Sequence, residues 1–143
     1  MNVRKVIDSD IERLLEIEKE NFPDPWTKEM FLNTSADIYI LLNAEEIVGY
    51  IEVMLVIDEL HINNIAISDQ YKGSGASKYL YDEVIKKYGK IIGVTLEVRS
   101  GNYRAIKFYE KLGFEKYGLR KNYYTNPKED ALIMWNYAKG ESK

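Results

Sequence analysis

The spacing of apolar and polar residues along this 143-residue chain changes repeatedly between two periods. Apolar residues that alternate with polar ones predict β-strands, and apolar residues every three to four positions predict amphipathic helices. The predicted order β-α-α-β-β-β-α-β-α-β-β indicates a mixed α/β fold of the α+β kind, with a mostly antiparallel sheet flanked by helices. Strands are predicted over 3–7, 38–42, 47–57, 60–67, 93–99, 114–124 and 131–137, and helices over 8–22, 27–33, 75–88 and 103–112.

The same spacing predicts which helix faces are buried and where the domain ends. In the helix over 75–88, the buried stripe is expected to contain Tyr79, Leu80, Val84 and Ile85. No repeat or low-complexity segment interrupts the pattern. We therefore expect residues 1–138 to form one domain and residues 139–143 to form a flexible tail.

The most informative segment is the run Gln70-Tyr71-Lys72-Gly73-Ser74-Gly75-Ala76, which joins a predicted strand to a predicted helix. N–H groups in the first turn of a helix have no intrahelical partner, and glycines allow a phosphate to approach the backbone. The glycine spacing matches neither the P-loop nor the dinucleotide-binding fingerprint. The run is a candidate site for a phosphate-bearing ligand, although the glycines could also serve only to reverse the chain direction.

Composition narrows the class of protein. Hydrophobic residues make up 45% of the chain and charged residues 30%, as in ordinary globular proteins. No apolar stretch approaches the roughly 20 residues that cross a bilayer, and the first residues lack the apolar region of a secretory signal. We expect a cytoplasmic protein. With no cysteine and one histidine, disulfides and metal sites are not expected, and a net charge of -3 argues against nucleic-acid binding while allowing a basic protein substrate.

Glu97 is the first candidate for a reacting group. Alternation along its strand places the neighbouring valine and leucine side chains on one face and Glu97 on the other. A carboxylate in that position can accept a proton. It could also be a solvated glutamate or an ion-pair partner of Arg99, and the sequence pattern leaves these alternatives open.

Other candidate residues also have purely structural explanations. Tyr109 has the spacing of a core residue, and Asn102 is placed to cap the helix over 103–112. A lone histidine on a strand is more often a hydrogen-bonded structural residue than a catalyst, and we expect this of His61. Aromatic residues beside turns and strands usually pack, which leaves a binding role open for three of them: Trp26, Tyr123 and Tyr124.

Six further blocks and the glycine run resemble one protein family. The run resembles the Gln/Arg-x-x-Gly-x-Gly/Ala loop that holds the acyl-CoA pyrophosphate in the GCN5-related N-acetyltransferase (GNAT) superfamily. The other blocks resemble its RimI-type branch, the ribosomal-protein-alanine N-acetyltransferases. They are Phe22 to Thr27, His61 to Ile67, Leu96-Glu97-Val98-Arg99 with Asn102, Ala105 to Phe114, Arg120 to Tyr124, and Glu129 to Met134. The departures are Ser74, where an apolar residue is common, and Gly101, where serine is common.

This resemblance, which covers nearly the whole chain, implies an N-acetyltransferase that moves acetyl directly from acetyl-CoA to an amine in a ternary complex, without a metal. It implies that Glu97 is the general base and Tyr109 the general acid. It also implies Trp26, Tyr123 and Tyr124 as walls of a peptide groove. The implied cofactor contacts are Ile65, Ala66, Ile67, Gln70, Tyr71, Lys72, Gly73, Ser74, Gly75, Ala76, Ser77, Asn102 and Tyr109.

The implied acceptor is the N-terminal α-amine of a protein, with the N-terminal alanine of a ribosomal protein favoured. Neither direct contact with nucleic acid nor membrane binding is implied. Two other functions stay open: acetylation of a small amine such as a polyamine, and acyl-CoA binding by a regulator without catalysis. A regulator would have no need for Glu97 and Tyr109 together, and both are present.

Overall fold

The computed structural model describes residues 1–137, so the predicted tail over 139–143 lies outside the described residues. Regular elements follow the predicted order. The strands are β1 (Asn2–Lys5), β2 (Asp37–Asn43), β3 (Glu46–Val56), β4 (Glu59–Ile67), β5 (Gly93–Arg99), β6 (Glu115–Thr125) and β7 (Lys128–Tyr137). The α-helices are α1 (Ile11–Asn21), α2 (Lys28–Asn33), α3 (Ala76–Ile85) and α4 (Tyr103–Lys111).

The strands form one mixed sheet in the order β1-β2-β3-β4-β5-β7-β6. Antiparallel pairs join β1 to β2, β2 to β3, β5 to β7 and β6 to β7. The pair β4 and β5 is parallel, with paired residues from Glu59 opposite Gly93 to His61 opposite Thr95. The predicted mixed, mostly antiparallel sheet is therefore confirmed.

Internal contacts divide the chain into two compact units, of which the first contains residues 1–54 and 63–89. Its core forms because α1 presents Ile11, Leu14 and Ile17, spaced three residues apart, to the sheet. The ring of Phe31 in α2 packs edge-on against that of Tyr50 in β3, with ring centroids 5.7 Å apart. Thr27 caps α2 by accepting a hydrogen bond from the N–H of Met30.

The second unit contains residues 55–62 and the chain from 90 onward. Its central strand, β5, buries Val94, Leu96 and Val98, the three side chains that the alternation placed on one face. Leu96 lies opposite the buried Met134 of β7. Since β6 pairs with β7 alone among the described strands, β6 is an edge strand of the sheet, and most of its residues are exposed.

The helix faces differ in part from the prediction. Tyr79 is 38% exposed, and its hydroxyl donates a hydrogen bond to the carbonyl of Met1, whereas Tyr81 is buried in its place beside Leu80 and Val84. A tyrosine can occupy either side of the stripe boundary, because its hydroxyl needs a polar partner while its ring is apolar. Among the described residues, no helix is long and apolar enough to cross a membrane.

Candidate active site

The glycine-containing loop before α3 is shaped by two left-handed backbone positions. After a short 3-10 turn at Asp69–Tyr71, Gly73 has a φ of 78° and Gly75 a φ of 87°. Residues with side chains rarely adopt such angles, so glycine is favoured strongly at both positions. A Cβ atom built on either glycine would meet no other atom within 4 Å. The loop therefore leaves open space directly beside its backbone.

The N-terminus of α3 opens into this loop. Gly75 is the cap residue, and the N–H of Tyr79 donates to the carbonyl of Gly75 at 3.1 Å. The N–H groups of Ala76, Ser77 and Lys78 lie in the helical turn before that bond, at the positive end of the helix dipole. Such groups bind phosphate. Lys78 adds a backbone donor that was missed from the sequence, where the exact start of the helix could not be fixed.

Side chains outside the loop anchor its first half. The hydroxyl of Tyr71 accepts a hydrogen bond from Asn43 at 2.9 Å and donates one to Glu46 at 3.2 Å. Lys72 forms an ion pair with Asp69, with a nitrogen–oxygen distance of 2.6 Å. Tyr71 and Lys72 therefore support the shape of the loop itself, within the first unit.

The predicted cofactor strand is the last part of β4. Buried positions alternate at Leu60 and Ile62, whereas Ile65, Ala66 and Ile67 are all buried. Because successive side chains of a strand point to opposite faces, both faces of β4 are buried over these last three residues.

A buried carboxylate, Glu18 of α1, binds to this part of the strand. Glu18 is 1% exposed. It accepts hydrogen bonds from the N–H of Trp26 at 2.9 Å, from the amide of Asn64 at 2.7 Å and from the hydroxyl of Tyr50. Burial raises the pKa of Glu18, and the bonds from Trp26 and Asn64 oppose that rise. Glu18 therefore links α1 to both the turn that carries Trp26 and Asn64 of β4.

A second buried carboxylate belongs to Glu52 of β3, which is also 1% exposed. Its Oε2 accepts a hydrogen bond from Asn63 at 3.0 Å, whereas its Oε1 is buried with no donor among the described residues. Burial raises the pKa of Glu52, the bond from Asn63 opposes this, and the nearby charge of Glu18 raises it further. A buried carboxylate oxygen without a donor lowers the stability of the fold.

Replacing Glu52 with glutamine is expected to stabilise the protein, and to do so more at pH 8 than at pH 5. Glutamine keeps the acceptor for Asn63 but carries no charge. Because the folded state raises the pKa of Glu52, the wild-type protein loses stability as the pH rises through that pKa. Removing the uncompensated charge is expected to raise Tm by about 2–6 °C at pH 8.

Thermal unfolding followed by circular dichroism at the two pH values measures this effect. Glu45→Gln, in the exposed turn between β2 and β3, makes the same change of charge without burial and is expected to leave Tm nearly unchanged. A lower Tm for Glu52→Gln at both pH values would show that the ionised carboxylate stabilises the fold.

Glu97 lies on β5 in the second unit, opposite Ile133 of β7. Its side chain is 27% exposed, and Nε of Arg120 lies 3.6 Å from its Oε2. That oxygen is buried and accepts no hydrogen bond from the described residues. Arg99 pairs instead with Glu129 at 3.2 Å, so the Glu97–Arg99 ion pair that the sequence left open is not formed.

Two tyrosines are connected with Glu97 by electrostatic interactions: Tyr124 interacts with Glu97, and Tyr109 interacts with Tyr124. Tyr109 of α4 packs edge-on against Phe108 and Phe114, with ring centroids 5.2 Å and 5.7 Å apart. Desolvation raises the pKa of Tyr109, and the nearby Tyr124 raises it further. Desolvation also raises the pKa of Tyr124, and the charge of Glu97 adds to that rise. Both phenols therefore carry their protons at neutral pH and can act as donors.

The aromatic pair on β6 is fixed by Arg99. Its guanidinium lies over the ring of Tyr124, with 4.3 Å to the ring centroid, and donates to the carbonyls of Asn126 and Pro127 at 3.1 Å and 2.9 Å. Tyr123 stands edge-on to Tyr124 and is 47% exposed. The second unit thus brings together four residues predicted for the site: Glu97, Tyr109, Tyr123 and Tyr124.

Three of the residues considered from the sequence have structural contacts of their own. The side chain of Asn102 accepts a hydrogen bond from a backbone N–H in the first turn of α4, so it does cap that helix. Nε2 of His61 lies 3.8 Å from Oε1 of Glu59. The ring of Trp26 packs edge-on against Phe31, with centroids 5.2 Å apart. The contacts of Asn102 and Trp26 agree with the structural explanations that the sequence offered, whereas 3.8 Å is too long for the hydrogen bond expected of His61.

Trp26 and the predicted cofactor contacts other than Asn102 and Tyr109 all lie in the first unit. They are Trp26, Ile65, Ala66, Ile67, Gln70, Tyr71, Lys72, Gly73, Ser74, Gly75, Ala76 and Ser77. Within residues 1–137, no group of three or more histidine, cysteine, aspartate or glutamate side chains is placed to hold a metal ion.

Comparison with known proteins identifies the family. Residues 11–114 match the acetyltransferase (GNAT) family. The chain belongs to this family. It is an acetyl-CoA-dependent N-acetyltransferase, and the open, glycine-bounded loop at the start of α3 fits the pyrophosphate of that cosubstrate.

Relatives of this GNAT protein match nearly its whole length. A Bacillus subtilis (strain 168) protein, provisionally named a ribosomal protein bS18-alanine N-acetyltransferase, is 36% identical over 140 residues, which is 93% of each chain. The ribosomal protein bS18-alanine N-acetyltransferase of Haemophilus influenzae is 36% identical over 137 residues, 90% of this chain and 92% of its own. The crystal structure of the ribosomal-protein-alanine N-acetyltransferase from Escherichia coli superposes with a TM-score of 0.79 at 28% identity, over 95% of this chain and 92% of that one.

Proposed function

We propose that this GNAT protein acetylates the N-terminal α-amine of a protein, and that its acceptor is a ribosomal protein with an N-terminal alanine. The observation that carries the proposal is the likeness to two proteins named for that reaction, each 36% identical over at least 90% of this chain. Such an acceptor would place the reaction in the cytoplasm.

Cofactor binding is assigned to the first unit. Backbone N–H groups of Gly73 and of Gly75 to Lys78 would hold the pyrophosphate, because the loop is open and the helix dipole favours negative charge there. The backbone of Ile65–Ile67, which lies beyond the part of β4 that pairs with β5, would hydrogen-bond the amide groups of the pantetheine arm as another strand would. Acetyl-CoA, when bound, supplies the thioester from which acetyl is transferred.

Proton transfer is assigned to the second unit. Glu97 would accept the proton of the acceptor amine, directly or through one water, since its carboxylate is only partly buried. Tyr109 would return a proton to the departing thiolate. Its raised pKa keeps the phenol protonated at neutral pH, which suits a donor.

The strength of the assigned base favours an α-amine over a lysine. An α-amino group has a pKa near ~7.8, so a substantial fraction is neutral at physiological pH. A lysine side chain has a pKa near ~10.4, so its deprotonation costs roughly 3.5 kcal/mol more than that of an α-amino group. A single carboxylate such as Glu97 is therefore sufficient for an α-amine, whereas lysine would require much more from the site.

A competition experiment tests this proposal. A peptide that begins with alanine and contains an internal lysine is incubated with enzyme and acetyl-CoA beside an equal concentration of spermidine, and the products are located by mass spectrometry. We expect acetyl on the N-terminal alanine in large excess over the lysine. The matched control is the same peptide with a formylated N-terminus, which is expected to stay unmodified. Preferential acetylation of lysine or spermidine would reject the proposal and favour a small-amine acetyltransferase.

A further inference from the structure

The two oxygens of the Glu97 carboxylate have different surroundings. Oε2 is buried, accepts no hydrogen bond from the described residues, and has Nε of Arg120 at 3.6 Å. We propose that Arg120 is a positioning residue, which keeps Oε2 turned towards its guanidinium so that Oε1 can accept the proton of the amine. This inference rests on the proposed function, in which Glu97 is the base.

The register of the sheet places Arg120 on the same face as Glu97. Arg120 pairs with Ala131, which pairs with Arg99, two residues after Glu97 on β5. An irregular segment follows Arg120, because Tyr124 pairs with Glu129 and β6 uses four steps where β7 uses two. Asn122 lies within this segment with a φ of 55°, and its N–H donates to Oδ1 of Asp130 at 2.8 Å. The segment is therefore held in one conformation.

The guanidinium of Arg120 is also supported from its other side. It lies over the ring of Tyr123, with 5.6 Å between Cζ and the ring centroid. Stacking on an aromatic ring suits the planar guanidinium of arginine better than the ammonium of lysine. Tyr123 thus belongs to the site through Arg120 as well as through any contact with the acceptor peptide.

Other charged and titratable groups around Glu97 are already engaged. On its own strand, Arg99 pairs with Glu129 of β7 and lies over Tyr124 of β6. Tyr124 interacts electrostatically with Glu97 and with Tyr109 of α4, but a neutral phenol supplies no positive charge. Within residues 1–137, Arg120 is the cation that forms an ion pair with Glu97.

The Arg120–Glu97 ion pair can orient the Glu97 carboxylate, but it adds little to the stability of the fold. The side chain of Arg120 is 58% exposed, and ion pairs with an exposed partner contribute little to folding. The reaction slows steeply when the catalytic carboxylate points away from the amine proton, because only a narrow range of side-chain orientations allows the proton transfer. The inference therefore predicts a change in turnover without a comparable loss of stability.

A double-mutant cycle tests the inference with the Ala-initiated peptide as substrate. Arg120→Gln is expected to lower kcat by roughly tenfold, with the KM for acetyl-CoA unchanged. In the Glu97→Gln background, the same substitution is expected to cause no further loss, because no base remains to be oriented. Arg120→Lys is expected to restore part of the activity. The matched control is Lys116→Gln, which removes the same charge from an exposed position of the same strand and is expected to leave kcat unchanged.

The outcomes separate this inference from the proposed function. An equal loss from Arg120→Gln in both backgrounds, or a change confined to the KM of the peptide, would overturn the positioning role alone. Full activity of Glu97→Gln would overturn the base assignment and the inference together. A loss of Tm in Arg120→Gln large enough to account for the lower activity would also overturn it, and is checked by thermal unfolding.

Discussion

Glu97→Gln is expected to lower kcat by roughly 10²-fold at neutral pH while the affinity for acetyl-CoA stays unchanged. Glutamine has nearly the same shape as glutamate but cannot accept a proton. Since Oε2 accepts no hydrogen bond from the described residues, the substitution breaks no bond to that atom, although it removes the ion pair with Arg120. The loss should therefore report the chemistry of Glu97.

Steady-state kinetics with the Ala-initiated peptide, together with calorimetric titration of acetyl-CoA, measure the two quantities separately. The matched control is Glu110→Gln, which makes the same change at an exposed position of α4 and is expected to retain wild-type turnover. Wild-type activity of Glu97→Gln across the pH range would show that another group removes the proton. The buried carboxylates Glu18 and Glu52 would then be the next to replace.

Local patterns were sufficient to predict the elements of this fold. A period of two or of three to four residues is decided by neighbours along the chain, and each regular element is found close to its predicted place. Asn102 illustrates the same point, since a cap is a contact within one helical turn. The glycine loop was also predictable, because positive φ angles and a helix start depend on a few consecutive residues.

Contacts between distant parts of the chain could not be predicted in this way. Glu18 meets Tyr50 and Asn64 across 32 and 46 positions of sequence. Its place on the apolar face of α1 hinted at burial, but nothing in the spacing named its partners. Likewise, Arg120 reaches Glu97 because of the register of β5, β7 and β6, which alternation within one strand does not reveal. Polar residues in a core are decided by the tertiary partners that satisfy them.

Position along a helix also leaves the edge of its buried stripe undecided. The prediction placed Tyr79 in the stripe of α3 and left out Tyr81, which is 5% exposed, whereas Tyr79 is 38% exposed. Both tyrosines lie next to Leu80, and a rotation of the helix by a fraction of a turn would exchange them. The packing of α3 sets that rotation, and helical period alone does not.

Gly75→Val is expected to weaken the binding of acetyl-CoA by an order of magnitude or more. The left-handed φ of 87° disfavours a branched side chain, and the new side chain would project into the open space beside the loop, where the pyrophosphate is proposed to approach. The protein is expected to stay folded, because that space holds no other atom within 4 Å of the added Cβ. Calorimetric titration of acetyl-CoA measures the loss.

Gly89→Val separates backbone strain from blocked binding. Gly89 also has a positive φ, of 57°, and open space around an added Cβ, but it follows the 3-10 turn at Lys86–Tyr88, past the opposite end of α3 from the loop. Gly89 has a ψ of -121°, which side chains tolerate less well than the left-handed helical conformation of Gly75, so Gly89→Val is expected to lose at least as much stability through strain. Only Gly75→Val is expected to lose affinity for acetyl-CoA. Unchanged affinity in folded Gly75→Val, or an equal loss in both variants, would show that the pyrophosphate does not bind at the N-terminus of α3.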